Sequence, residues 1–282
     1  MDMTVEELKK IASQVRRDIV REVTSAKSGH PGGSMSSTDI LTALYFSVMK
    51  HDPATWTRDG KGQDVFLLSA GHITPVYYSL LARSGYFPVS ELNTFRKFGT
   101  RLQGHPSVEK ELPGVTQAAG SLGQGLSAAA GIALGKRLDK DNNFVFVLCG
   151  DGESEEGQIW EAANFAAHLG LDNLIAMTDW NGQQIDGMVD DVAGLGDLEV
   201  KWKAFGWEVI VADGHDFDSI LSAFVSAKAA KGSGKPVMIL FRTDMGKGVD
   251  FMAGTCKWHG KALSQEQCDE ALKQLPETLG DF

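Results

Sequence analysis

The stretch from residue 144 to 187 constrains the fold more than any other part of the chain. It reads FVFVLCGDGESEEGQIWEAANFAAHLGLDNLIAMTDWNGQQIDG, which predicts a strand, a glycine-rich turn, a helix near residues 155–169 and a second strand. A strand–helix–strand unit of this kind connects two parallel strands by a right-handed crossover. The unit therefore places Asp151 and Asn181, which follow the two strands, at the same edge of a parallel sheet.

Asp151 and Asn181 carry oxygen atoms of the kind that Mg²⁺ prefers as ligands, and the main-chain carbonyl of Gln183 is a third candidate. The turn after Asp151 opens a helix, whose unpaired N–H groups and positive dipole end favour a phosphate. Gly152 has no side chain, so the backbone can approach that phosphate closely. The pattern predicts a magnesium–diphosphate pocket. The alternatives are that Asp151 only caps the helix and that the glycines belong to an ordinary loop.

Strands and helices alternate through much of the rest of the chain. Thr4 with Glu7 predicts a capped N-terminal helix that ends near Ser28, because the run SGHPGG cannot continue it. Further helices are predicted over residues 36–51, 74–85, 90–98, 121–136 and 216–231, and further strands over 64–69, 207–213 and 236–243. Apolar runs without alternation indicate strands covered on both faces. We predict an α/β fold, a doubly wound and mostly parallel sheet with helices on both faces, in one domain over residues 1–282.

Composition excludes several classes of function. A formal net charge of −10 argues against sequence-independent nucleic-acid binding, which needs cations that neutralise phosphates. Cys149, Cys256 and Cys268 have no CxxC spacing, which argues against a disulfide framework or a zinc site. The charged N-terminus does not resemble a secretory signal, and no apolar run is long enough to span a bilayer. We therefore expect a soluble, cytoplasmic protein with no nucleic-acid or membrane partner.

Histidines in glycine- or proline-bracketed loops are further candidates for chemistry, since imidazole can bind phosphate, donate to a carbonyl or shuttle protons. They are His30 in SGH, His72 in AGH, His105 in GHP and His259 in WHG. The alternative is that each is an ordinary polar surface residue. The run GSLGQG from Gly120 has the glycine order GxxGxG, which is not the dinucleotide-binding fingerprint.

The order of the motifs adds a resemblance to a known family. SGHPGG, SAGH, QGHPS, ELPGVTQAAGSLGQGLS, GDG followed by Asn181, and WHGKAL succeed one another as they do in transketolases. The resemblance covers nearly the whole chain. The chain is similar to the N-terminal, thiamin diphosphate-binding part of that family. Because this part stands without the family's pyrimidine-binding and C-terminal domains, the chain is similar to the N-terminal subunit of a split transketolase. Departures such as SAGH for SNGH, GSLGQG for GPLGQG, and Trp180 where an acidic residue often stands remove no ligand.

The resemblance also implies roles for individual residues. Asp151, Asn181 and the Gln183 carbonyl would bind Mg²⁺, with Ca²⁺ or Mn²⁺ able to take its place. The residues expected to contact thiamin diphosphate are His72, Gly120, Leu122, Gly152, Glu156, Asn181 and His259, with Glu156 at an intersubunit interface. The residues expected to face the sugar and act in catalysis are His30, His105 and His259.

The implied reaction is transfer of a two-carbon ketol unit from a ketose phosphate to an aldose phosphate, as in the pentose phosphate pathway. In this family the glutamate that activates the cofactor lies in the pyrimidine domain, and no segment here matches it. The chain alone should therefore be inactive, and an α2β2 heterotetramer with a pyrimidine-domain partner is expected. The donor sugar stays open, with branched and sulfonated sugars among the candidates.

Other interpretations of the motifs remain open on the sequence alone. The alpha subunit of a 2-oxo acid dehydrogenase also carries GDG and Asn, but SGHPG and GHP do not fit it. Deoxyxylulose phosphate synthase shares part of the pattern with a different early region. A cofactor-free remnant with a regulatory or structural role is disfavoured, because every expected magnesium ligand is present.

Overall fold

A five-stranded parallel sheet forms the centre of the molecule in the computed structural model, which describes residues 3–282. Its strands lie in the order β1-β2-β3-β7-β6, and every neighbouring pair is parallel. The strands are β1 (Val65–Leu68), β2 (Val145–Gly150), β3 (Leu174–Trp180), β6 (Glu208–Asp213) and β7 (Val237–Arg242). A separate antiparallel pair consists of β4 (Gln183–Gln184) and β5 (Gly187–Met188). The predicted doubly wound parallel sheet is confirmed.

Helices precede, connect and follow the strands. The α-helices are α1 (Val5–Ala26), α2 (Pro31–Ser36), α3 (Thr38–Ala43), α4 (Thr74–Arg83), α5 (Gln124–Leu138), α6 (Gly157–His168), α7 (Val189–Ala193), α8 (Leu198–Ala204), α9 (Phe217–Ala229) and α10 (Gln265–Gln274). Short 3₁₀ segments cover Val89–Thr94, Val108–Lys110, Gly152–Glu155 and Cys256–Trp258, and a π-helical turn covers Leu44–Val48. Among residues 3–282, no helix combines the length and the apolar character needed to cross a membrane.

The sheet separates two hydrophobic cores because successive side chains of a strand point to opposite faces. In β2, Phe146 and Leu148 pack into the core under α1, α3, α4 and α9. Val145 and Val147 belong to the core under α5, α6 and α8. Burial on both sides explains why the strand reads as a continuous apolar run rather than an alternating one.

The structure corrects the sequence-based prediction in several places. Strand β6 lies at the sheet edge and is largely exposed, so its apolar run is not covered on both faces as predicted. The glycines after His30 do not form a loop but enter α2, which begins at Pro31 and is fully buried. Proline suits the first turn of a helix because its missing N–H has no partner there in any case. Helices α7, α8 and α10 and the β4–β5 hairpin were not predicted.

Two local predictions hold and matter for the site. The capping box at Thr4 and Glu7 is present, and Lys27 ends α1 in the left-handed region. In the sheet, Gly150 pairs with Asp179, so β2 and β3 end side by side. Their following loops therefore emerge next to each other at the carboxyl edge, together with the loops after β1 and β7.

Candidate active site

A cavity of about 380 Å³ opens at the carboxyl edge of the sheet, where the loops after β1, β2, β3 and β7 meet. This volume lies in the range of small-molecule pockets. All site residues named from the sequence line this one cavity, namely His30, His72, His105, Gly120, Leu122, Asp151, Gly152, Glu156, Asn181, Gln183 and His259. Their placement together is observed, and the role of each remains a prediction.

Asp151 and Asn181 follow the adjacent strands β2 and β3, and the Asp151 carboxylate contacts the backbone of the loop after β3. Asp151 is buried and accepts hydrogen bonds from the backbone N–H of Gly182 at 2.5 Å and of Gly152 at 2.8 Å. The Asn181 side-chain oxygen accepts from the N–H of Gln183 at 3.0 Å. The capping alternative is therefore also realised, since Asp151 caps the 3₁₀ turn, but its carboxylate keeps lone pairs for a further partner.

Glu156 lies just before α6 rather than inside the predicted helix. The predicted helix near residues 155–169 would place Glu156 on its first turn, but a 3₁₀ turn intervenes and Glu156 is the extended residue that precedes α6. Its side chain is exposed at the cavity rim and makes no hydrogen bond within residues 3–282. An exposed carboxylate at this place can be reached by another chain.

Glu153 is a site residue that the sequence analysis missed. It is buried, and its carboxylate accepts from the Ser69 hydroxyl at 2.5 Å, the Gly123 N–H at 2.7 Å and the Gly150 N–H at 3.0 Å. It thereby joins the loop after β1, the GSLGQG loop and the GDG turn. Burial raises its pKa, and these donors oppose the rise. A glutamate inside a glycine-rich turn at the start of a helix was the available signal.

Asp179 was missed as well, although it stands near the carboxyl end of a strand that is mostly apolar. The Ser36 and Ser37 hydroxyls donate to its carboxylate at 2.5 and 2.9 Å, and the Thr243 hydroxyl donates to its other oxygen. Its charge also acts on Asp151. Burial and the Asp179 carboxylate together raise the pKa of Asp151 to about 7. A cation beside these two buried carboxylates would favour their ionised forms.

The loop histidines form a cluster on the wall of the cavity. Ring centroids are 5.0 Å apart for His30 and His72, 5.1 Å for His72 and His259, and 5.7 Å for His30 and His259. The Nδ1 atoms of His30 and His259 are buried and have no partner among the described residues. His105 lines the same cavity from a more exposed position.

These imidazoles are neutral at pH 7. Burial, reinforced by the neighbouring histidines, lowers the pKa of His30 to about 4 and of His72 to about 3. Burial also lowers the pKa of His259, against the opposing effect of Asp179, and lowers the pKa of His105, where Arg96 adds to it. Each ring therefore offers one donor and one acceptor nitrogen rather than a positive charge.

Glycines allow the loops around the cavity to approach one another. A Cβ on Gly152 would lie 2.5 Å from the Gln184 side-chain oxygen, and one on Gly71 would lie 2.7 Å from Ala119 Cβ. A Cβ on Gly125 would lie 2.4 Å from Ser69. Gly120 is exposed at the cavity wall, where its backbone faces the pocket. The glycines at these positions therefore allow the loops around the cavity to pack closely.

The donor set fits a divalent cation that is shared with a phosphate. Residues 3–282 contain no cluster of three or more His, Cys, Asp or Glu side chains of the kind that holds a metal by itself. Asp151, Asn181 and a main-chain carbonyl supply a partial oxygen shell, which suits Mg²⁺ because this ion commonly takes its remaining ligands from phosphate and water. The fold and the cavity are those of an α/β protein that binds a small-molecule ligand at the carboxyl edge of its parallel sheet.

Comparison with known proteins identifies the family. The sequence profile described as "Transketolase, thiamine diphosphate binding domain" matches residues 7–278. The chain therefore belongs to the transketolase family and carries its thiamin diphosphate-binding domain. This finding confirms the predicted family and enzyme class and favours it over the 2-oxo acid dehydrogenase and deoxyxylulose phosphate synthase interpretations.

Two relatives have nearly the same length as the matched region. The chain is 44% identical over 266 residues to "6-deoxy-6-sulfo-D-fructose transketolase subunit SqwG" of Clostridium sp. (strain MSTE9), covering 94% of each protein. It is 37% identical over 279 residues to an apulose-4-phosphate transketolase subunit of Phocaeicola vulgatus, covering 98% of this chain and 96% of that protein.

Solved structures of transketolases are longer than this chain. Transketolase from Leishmania mexicana matches with a TM-score of 0.89 and 31% identity over 99% of this chain and 42% of its own. The Campylobacter jejuni enzyme matches with a TM-score of 0.89 and 33% identity over 97% of this chain and 43% of its own. The chain thus spans less than half the length of these transketolases, but nearly the full length of the subunit-type relatives.

Proposed function

We propose that this chain is the diphosphate-binding subunit of a two-subunit transketolase, which transfers a two-carbon ketol unit between sugars bearing a terminal anion. The single observation that carries the proposal is the cavity at the carboxyl edge of the sheet. It is lined by the residues that the resemblance assigns to the diphosphate, and Glu156 is exposed at its rim.

Asp151, Asn181 and the carbonyl of Gln183 are proposed to hold Mg²⁺, with Ca²⁺ or Mn²⁺ as substitutes. Support comes from the adjacent ends of β2 and β3 and from the raised pKa of Asp151, which is buried beside Asp179. A bound cation would favour the ionised carboxylate. Gly152 is proposed to let the backbone of the 3₁₀ turn lie close to the diphosphate, because it has no side chain.

When bound, thiamin diphosphate supplies the carbon nucleophile and the electron sink. The chain contributes binding, orientation and proton transfer. His72 and His259 are proposed to bind the diphosphate side, and Gly120 and Leu122 to line the cofactor. His30, His105 and His259 are proposed to orient the sugar hydroxyls and to move their protons, because a neutral imidazole can donate from one nitrogen and accept at the other.

The partner is proposed to be a C-terminal subunit with the pyrimidine domain, in an α2β2 heterotetramer in the cytoplasm. The subunit-type relatives support a second chain, because the name of each describes one subunit of a larger enzyme and this chain covers 94% and 96% of them. The exposed Glu156 is the proposed contact from this side.

Thermal unfolding of the purified chain tests the cofactor site without any partner. Mg²⁺ with thiamin diphosphate should raise the Tm, because a ligand that binds only the folded state stabilises it. Asp151→Ala should abolish the rise, whereas Asp190→Ala, which removes an exposed carboxylate on α7, should keep it. A Tm rise that is as large in Asp151→Ala as in the wild type would refute the assigned metal ligand.

Activity of the reconstituted pair tests the reaction. With the partner subunit, we expect turnover of a ketose donor with ribose 5-phosphate as acceptor; without it, none. Turnover by this chain alone would refute the divided site. A donor panel of xylulose 5-phosphate, apulose 4-phosphate and 6-deoxy-6-sulfofructose then separates phosphate from sulfonate donors, and the higher identity to the sulfofructose relative favours the last.

A further inference from the structure

Arg96 joins two loops of the candidate active site without lining the cavity itself. Its backbone φ of 56° lies in the left-handed region, and its backbone N–H donates to the Leu102 carbonyl at 2.9 Å. One terminal nitrogen of its guanidinium donates to the Ser28 hydroxyl at 2.9 Å, and the other donates to the Gly104 carbonyl at 3.2 Å. Its Nε is buried and has no partner among the described residues.

The two loops that Arg96 joins carry His30 and His105. Ser28 stands two residues before His30, and Gly104 directly precedes His105. The contact is close, because a Cβ on Gly104 would lie 2.7 Å from the Arg96 guanidinium carbon. The Thr74 hydroxyl at the start of α4 donates to the same Gly104 carbonyl at 3.0 Å, so this backbone is held from two sides.

Arg96 has no acidic partner, which distinguishes it from the other arginine of this loop. Arg101 forms a bidentate pair with Glu91 at 2.8 and 2.9 Å on the surface. No ion pair of Arg96 occurs within residues 3–282. Its charge is half-buried and uncompensated beside the imidazoles, where screening by water is weaker than at the surface.

We propose that Arg96 is a positioning residue that couples the loops of His30 and His105 and sets the electrostatic environment in which both imidazoles meet the sugar. The consequence for turnover rests on the proposed function, whereas the coupling of the two loops does not. A lysine at this position keeps the charge but cannot reproduce the planar fork of donors.

Other groups act on the same histidines and define what Arg96 can change. His30 faces His72 and His259 across ring contacts, and its pKa is lowered first by burial, then by His259, Arg96 and His105. For His105, burial comes first and Arg96 is the next cause. Removing the Arg96 charge should therefore raise the pKa of both histidines, and among residues 3–282 Arg96 is the one charged side chain that acts on His105 beside burial.

The first test is an NMR titration of histidine ring protons in the full chain, with His30→Asn and His105→Asn used for assignment. We expect a higher His105 pKa in Arg96→Met, and an unchanged one in Arg96→Lys and in the control Arg101→Met. An Arg96→Met protein whose His105 titrates as in the wild type overturns the proposal. So does a control that shifts His105 as far as Arg96→Met does.

The second test uses the complex with the partner subunit. Loss of the loop coupling should lower kcat/KM about 10- to 100-fold in Arg96→Met, since small misplacements at a site cost this much. The acid limb of its pH profile should also move to higher pH, because the histidines are more readily protonated. Arg101→Met should keep the wild-type kcat/KM and the wild-type acid limb of the pH profile. Should Arg96→Met fail to fold, Arg96→Lys must still show a raised KM with an unmoved acid limb; wild-type kinetics in that variant would overturn the proposal.

A failure of the proposed function can be distinguished from a failure of the Arg96 proposal. If the wild-type complex shows no ketol transfer, the proposed function fails, while the histidine titration still decides whether Arg96 acts on His105.

Discussion

Buried carboxylates in the α-helical layer over one sheet face are compensated differently from those at the carboxyl edge of the sheet. In the layer, Asp39 forms a bidentate pair with Arg16 at 2.7 and 2.8 Å and a further contact with His215 at 2.9 Å. Asp18 pairs with Arg83 in the same layer. At the carboxyl edge, Asp151, Glu153 and Asp179 form no ion pair within residues 3–282 and are held by N–H and O–H donors alone.

This difference separates carboxylates that have a cationic partner in the chain from carboxylates that have none among residues 3–282. Burial alone would raise the pKa of Asp39, but Arg16 and His215 lower it to about 2. Burial and Asp179 instead raise the pKa of Asp151 to about 7. The framework carboxylate Asp39 has a cationic partner in the chain, whereas Asp151 has none among residues 3–282, which supports the proposed metal site.

Breaking the Arg16–Asp39 pair should have the largest effect. Asp39→Ala should reduce the free energy of unfolding by about 3–5 kcal/mol, because it leaves a buried guanidinium without its partner. The double variant Arg16→Met with Asp39→Ala should lose less, since no buried charge is then left unpaired. Urea denaturation at pH 7 measures both. A double variant that is less stable than Asp39→Ala would contradict the account.

The same pair should make stability depend on pH in the acid range. The folded pKa of Asp39, about 2, lies below its ordinary value of 3.8. The pair therefore contributes its full stability above about pH 4, and this contribution is lost as the pH falls toward 2. In denaturation curves between these values, Asp39→Ala should be less sensitive to pH than the wild type. An equal slope in both proteins would argue against the assignment.

Glu22 extends the comparison to a third case. It is fully buried in α1 and has neither an ion-pair partner nor a hydrogen-bond donor for its carboxylate among the described residues. Both of its carboxylate oxygens lack a hydrogen bond within the described chain, and burial, then Asp18, raise its pKa well above 4.5. Its folded state binds the proton more tightly, so stability is full below pH 4.5 and falls as the pH rises above it. Glu22→Met should stabilise the protein by about 1–3 kcal/mol at pH 8 and reduce this fall.

Glu6→Gln is the matched control on the same helix and should show the smallest effect. Glu6 pairs with Lys9 at 2.8 Å on the exposed face of α1. Exposed pairs of this kind contribute little, so we expect no resolvable change in the free energy of unfolding. Thermal or urea unfolding compares it with Glu22→Met. A Glu6→Gln effect as large as that of Glu22→Met would show that burial is not the deciding factor.

Much of the fold and most of the candidate site could be read from the sequence. The apolar runs of β1, β2, β3 and β7 and the glycine-bracketed motifs are local patterns, and the structure brings the motif residues to one cavity. Glu153 and Asp179 escaped because their importance comes from contacts across long sequence separations. The exposure of β6 escaped because an edge strand and a central one can share the same apolar run.

By itself, the sequence determined the parallel α/β fold with most of its strands and helices, and the family. It also singled out the residues that are proposed to bind a metal and a diphosphate. Backbone periodicity and motif spacing carry that information because they act over short stretches of chain. Only the tertiary structure decided which polar groups are compensated: Asp39 by Arg16, and Asp179 by hydroxyls from α2, the loop before α3 and the loop after β7. It also placed the unpaired charge of Arg96 against the loop of His105, where it lowers the pKa of that imidazole. Compensation depends on burial and on distances between remote segments, which no local pattern encodes.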